Sequence, residues 1–134
     1  SYKAAIKLDP NYADAYNNLG NIEMNRGNIN TALRHYEKSI RIRPNFPEAF
    51  NNLGNANRAR GDLLSAKEMY EKAISLRPEY LEAYNNLGTV HRETGDVEEA
   101  MVMFGKVAEI SPNFPRFITI LLLQIMTPGI WRRQ

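Results

Sequence analysis

Apolar and polar positions recur along the chain at a fixed step. Tyr16-Asn17-Asn18-Leu19-Gly20 returns as Phe50-Asn51-Asn52-Leu53-Gly54 and as Tyr84-Asn85-Asn86-Leu87-Gly88, each 34 residues after the last. Pro10, Pro44, Pro78 and Pro112 keep the same step. A period of this size marks a repeat array, in which each unit buries its apolar face by stacking on its neighbours. Inside a unit the apolar spacing is helical. Tyr16, Leu19 and Ile22 are expected on the packed side of a first helix over about Ala13 to Arg26, and a second helix follows over about Ile29 to Ile42. Gly27, Gly61 and Gly95 stand where a left-handed residue closes a helix. Asn28, Asp62 and Asp96 follow as candidate N-caps, and Asp96 with Glu99 has capping-box spacing. Turns this short make the two helices of a unit antiparallel.

The register divides the chain into full units at 13–46, 47–80 and 81–114. Residues 1–12 align with the end of a second helix, Tyr2 matching Tyr36, Tyr70 and Phe104, so the chain reads as a piece of a longer protein. Residues 115–134 read as a degenerate fourth-unit helix or an apolar tail foreign to the array. The segment from Phe117 to Met126 is apolar all round and wants cover on every side. Phe117, Ile118, Leu121, Leu122 and Ile125 are therefore expected to form a self-association contact, giving a homodimer.

Small residues also keep the register. Gly20, Gly54 and Gly88 lie inside the first helix, where glycine costs about 0.5–1 kcal/mol relative to alanine. Ala32, Ala66 and Ala100 recur in the second helix. The two columns are expected to meet at the crossing, with the rings of Tyr16, Phe50 and Tyr84 filling the space beside it.

These columns resemble the tetratricopeptide repeat, whose aromatic, Leu-Gly, Ala, aromatic, Ala and Pro positions are matched over residues 1–114. The resemblance implies an all-α fold, a right-handed superhelical solenoid of antiparallel helix pairs. It also implies that the first helices line a concave groove. On that pattern the groove receives Asp14, Asn17, Asn18, Asn21, Met24 and Asn25 from the first repeat, and Glu48, Asn51, Asn52, Asn55, Arg58 and Ala59 from the second. The third supplies Glu82, Asn85, Asn86, Thr89, Arg92 and Glu93.

The amides are the informative feature. An Asn side chain has one acceptor oxygen and two donor hydrogens, so it can match both the C=O and the N–H of a peptide backbone. Asparagine is also a poor helix former, and packing alone does not call for several per helix. The peptide-binding set is Asn17, Asn18, Asn21, Asn51, Asn52, Asn55, Asn85, Asn86, Arg58 and Arg92. For Asn18, Asn52 and Asn86 a second reading stands beside this one: their amides fix the stacking of adjacent repeats.

Two kinds of tetratricopeptide array sharpen the expectation. Co-chaperone domains grip a terminal carboxylate with lysine and arginine, but Asn17, Glu82 and Asn86 occupy the corresponding positions and only Asn21 and Asn52 match. The array of O-linked N-acetylglucosamine transferase carries an asparagine ladder similar to Asn18, Asn52 and Asn86, and there it selects substrates for a separate catalytic domain. The expected function is thus a protein-interaction module for an extended peptide. The alternatives are a substrate-recognition region of a larger enzyme and a self-associating scaffold.

Composition narrows this further. Seventeen basic and 15 acidic residues give a net charge of +2, which argues against a nucleic-acid surface. Cysteine is absent, and no phosphate loop, metal-ligand spacing or nucleophile–base pair is visible, so neither cofactor nor catalysis is expected. His35 and His91 are expected as surface or groove residues. With no signal peptide and no apolar run of the ~20 residues a membrane helix needs, an intracellular, cytoplasmic protein is expected.

Overall fold

The computed structural model describes residues 11–111, which form six helices and no strand. They fall in two compact bodies, residues 11–78 and 79–111. The first body holds α1 (Asn11–Asn25), α2 (Ile29–Ile42), α3 (Pro47–Ala59) and α4 (Leu63–Leu76). The second holds α5 (Leu81–Glu93) and α6 (Val97–Ile110). Residues 11 and 12, assigned from sequence to the end of a preceding unit, belong to α1. The tail residues Phe117, Ile118, Leu121, Leu122 and Ile125 lie outside the described residues, as does the self-association expected of them. Among the described residues no helix is long and apolar enough to cross a membrane.

The turns form as their glycines require. Gly27, Gly61 and Gly95 have φ of +82°, +88° and +89°. At the first turn the Gly27 N–H bonds the Met24 carbonyl at 3.0 Å and the Asn28 N–H bonds the Glu23 carbonyl at 2.8 Å. This is the Schellman closure, and it repeats at Gly61-Asp62 and Gly95-Asp96. The caps that follow are less uniform than expected. The Asp62 carboxylate accepts from the Ser65 N–H at 3.2 Å. The Asn28 amide donates instead to Glu23 at 2.8 Å, back across the turn. Asp96 makes no side-chain cap, and its carboxylate lies 3.8 Å from Nδ1 of His91. His91 is buried, not a surface or groove residue.

α1 packs on α2, α3 on α4, and α2 on α3; in the second body α5 packs on α6. The antiparallel sense follows from contacts in which residues late in α2 or at its C-cap meet residues early in α1. Ser39 Oγ donates to the Ala13 carbonyl at 2.6 Å, and the Arg43 guanidinium grips the Asp14 carboxylate at 2.9 Å. Arg77 and Glu48 repeat that ion pair one unit later.

Two packing expectations are corrected. The helix-interior glycines do not face the alanine column. A Cβ built on Gly54 would lie 2.6 Å from the Tyr70 ring, and one on Gly88 would lie 2.9 Å from the Phe104 ring. Gly20 faces Tyr36 in the same way. Ala32 belongs instead to the core cluster with Leu33, Tyr36, Leu53 and Ala56, which joins α2 to α3. The glycine therefore makes room for the aromatic ring of its own partner helix.

The leucine column is also placed differently. Leu53 is 5% exposed in that cluster, whereas Leu19 is 42% and Ile22 45% exposed. Leu53 faces the second helix of the preceding unit, α2; for Leu19 the equivalent positions lie outside the described residues.

Candidate functional site

The candidate site in the first body is built on α1 and α3, which touch one another. A pair of amides bridges them. Nδ2 of Asn52 donates to Oδ1 of Asn17 at 2.9 Å, so the second amide of one pentapeptide holds the first amide of the previous one. Asn17 is 9% exposed and Asn51 1%. Both side chains are buried, where the sequence expectation set them along an open groove. Asn18 is exposed on α1, and Asn52 is half-buried.

The next turn of each helix carries a second kind of amide contact. The Tyr36 hydroxyl donates to Oδ1 of Asn21 at 2.6 Å. The Tyr70 hydroxyl donates to Oδ1 of Asn55 at 2.5 Å. Both tyrosine rings are buried in the space left by the helix glycines. Burial pushes the Tyr36 phenol up to about 12, so it stays protonated and a donor at ordinary pH. Asn21 is exposed and Asn55 half-buried, and each keeps its NH2 group turned away from its tyrosine.

Charges frame this face. The hydrogen-bonded Arg43 guanidinium holds the Asp14 carboxyl below the usual carboxylate range. Asp14 and Glu48, expected to line the groove, are thus engaged by Arg43 and Arg77. Arg58 is half-buried on α3.

The second body repeats only part of the arrangement. Asn85 is exposed, Asn86 half-buried and Arg92 exposed at the end of α5. Thr89 replaces the asparagine of Asn21 and Asn55, and its hydroxyl donates to the Asn85 carbonyl at 2.9 Å. Phe104 replaces the tyrosine of Tyr36 and Tyr70.

The tyrosine hydroxyls were missed in the sequence, although a signal for them was present. The two columns lie 15 residues apart, and in the third repeat both lose their polar partner at once: Tyr with Asn twice, then Phe with Thr. Side chains that change together across repeats mark a contact.

Comparison with known proteins places this architecture. A family model described as Tetratricopeptide repeat matches residues 45–113, just over half the chain. Two further models, described as TPR repeat and Tetratricopeptide repeat, match residues 20–61 and 1–34. No curated protein sequence matches the chain. Among solved structures, MamA is 29% identical with a TM-score of 0.80, over 96% of this chain and 74% of that one. The Sgt2 TPR domain from Aspergillus fumigatus is 25% identical with a TM-score of 0.80, over 90% of this chain and 80% of that one. The first TPR of Spaghetti (RPAP3), bound to the HSP90 peptide SRMEEVD, is 23% identical with a TM-score of 0.83, over 91% of this chain and 95% of that one. The all-α helix-pair fold expected from the sequence is the fold of this chain.

Proposed function

The chain belongs to the tetratricopeptide repeat family, and from that premise we propose that it is a non-catalytic interaction module holding an extended peptide segment against the amides of α1 and α3. The observation that carries this reading is the unengaged NH2 group on Asn21 and again on Asn55, one repeat later, each beside a buried tyrosine. Polar groups held at one repeat spacing suit a ligand that is itself a repeating polar chain, as an extended backbone is. The similar Spaghetti domain is bound to a peptide, which supports the general mode. The ligand here is of a different kind. Asn17, Glu82 and Asn86 stand where the resemblance calls for cations, so a terminal carboxylate is not the anchor.

The test is selection of linear peptides from a random displayed library on the immobilised chain. Enriched peptides are expected to bind the parent and to bind an Asn21→Ala/Asn55→Ala variant at least about tenfold more weakly, since each lost hydrogen bond is worth on the order of 1 kcal/mol. Helicity is expected to hold, because alanine is the better helix former. A library that yields no enriched peptide, or peptides that bind the variant equally, would overturn the proposal.

A further inference from the structure

We infer that Tyr36 and Tyr70 are positioning residues for ligand recognition: their hydroxyls fix the Asn21 and Asn55 amides as hydrogen-bond donors, so the occupant is read through its backbone carbonyl oxygens and not through its N–H groups. This rests on the peptide-binding reading above and makes its chemistry specific.

An unconstrained Asn amide offers a donor and an acceptor side by side. Here the acceptor side is committed. Separations of 2.6 and 2.5 Å belong to O–H···O bonds and are short for N–H···O, so the oxygen and not the nitrogen of each amide faces the phenol. The phenols lie in the helix-pair interior. Because the amide is planar, an oxygen aimed inward at a buried hydroxyl aims the NH2 group outward. Among the described residues nothing accepts from Nδ2 of Asn21 or Asn55. The outward face thus presents N–H donors, which complement carbonyl oxygens.

The third repeat separates packing from positioning. Phe104 fills the space beside Gly88 as the tyrosines fill theirs beside Gly20 and Gly54. A ring without a hydroxyl therefore suffices for the helix contact. The hydroxyl occurs where the asparagine occurs, and where it is missing Thr89 turns its own hydroxyl to the α5 backbone.

Fluorescence anisotropy on the full chain tests this with two labelled, end-blocked probes: a glycine–serine peptide, and its analogue with every backbone N–H methylated. Methylation removes the probe's backbone donors and leaves its carbonyl acceptors. Both probes are expected to bind the parent with similar affinity. Tyr36→Phe/Tyr70→Phe is expected to bind both about fivefold more weakly, the loss of amides freed to rotate, while retaining the parent's circular dichroism. Asn21→Asp/Asn55→Asp keeps the oxygen that accepts from each tyrosine and replaces the NH2 with a second oxygen, so it is expected to lose binding outright.

The inference would be overturned by a methylated probe that fails where the parent peptide binds, a tyrosine variant that binds like the parent, or an aspartate variant that retains binding. Failure of both probes would also overturn it. The library selection above reports separately on whether the chain binds peptides at all.

Discussion

Nδ2 of Asn52 donates to Oδ1 of Asn17 across 2.9 Å, tying the first helix of one repeat to the first helix of the next. Both residues come from the recurring Asn-Asn pair, yet one is the sixth and the other the fifth position of its repeat. The ladder of amides is thus partly consumed in stacking the repeats.

That bond predicts a measurable coupling. Asn17→Ala and Asn52→Ala should each destabilise the chain, and the double variant should lose less than the sum of the two. The expected coupling is about 1 kcal/mol, typical of a neutral, half-buried hydrogen bond. Urea denaturation of the four proteins measures it. Strictly additive losses would show that the pair does not hold the repeats together.

The glycines predict opposite outcomes for one kind of substitution. Gly54→Ala places a methyl 2.6 Å from the fully buried Tyr70 ring, closer than side-chain contacts allow, so something must shift. The overpacking cost of about 1–3 kcal/mol outweighs the gain in helix propensity. Gly105 lies inside α6 with nothing within 4 Å of the position a Cβ would take. Gly105→Ala should therefore stabilise by about 0.5–1 kcal/mol. Melting temperatures of the two variants should move in opposite directions from the parent.

The same glycines show how far the sequence can be read. Helix limits and turns were legible because they depend on local chemistry: Gly27, Gly61 and Gly95 each close a helix within the reach of their own neighbours. Which column meets which across a helix pair is a matter of register. Gly20 and Tyr36 each lie eight residues from Asn28, whereas Ala32 lies four away. Residues of an antiparallel pair meet when they are equally far from the turn, so Tyr36 is the partner and the match of small with small was misleading. Recurrence alone marked Asn17, Asn21 and Asn51 as one class. Their fates differ because the neighbouring helix buries Asn51, bonds Asn17 to Asn52, and turns the Asn21 oxygen toward Tyr36. Those differences come from tertiary neighbours and not from the pentapeptide itself.

Tyr36 predicts an alkaline response. Its phenol titrates at about 12, raised by burial from an ordinary 10.0. Because the folded value is the higher one, the folded state holds the proton more tightly. This contribution is fully present below pH 10.0 and is lost as pH rises toward about 12. Absorbance at the phenolate band should show a late-titrating tyrosine in the parent that is missing in Tyr36→Phe. The variant should also lose less stability than the parent across that window. Loss of a phenol that titrates at the ordinary 10.0 would mean that the hydroxyl is open to solvent.

The central claim, that an extended backbone lies against the outward amides of α1 and α3, is tested most directly by the side-chain NH2 resonances of the asparagines. A selected peptide is added to isotopically labelled protein and each NH2 pair is followed. The account predicts that the Asn21 and Asn55 pairs move together and saturate at one affinity, while the pair of buried Asn51 stays in place. Saturable binding that leaves Asn21 and Asn55 unmoved would contradict it.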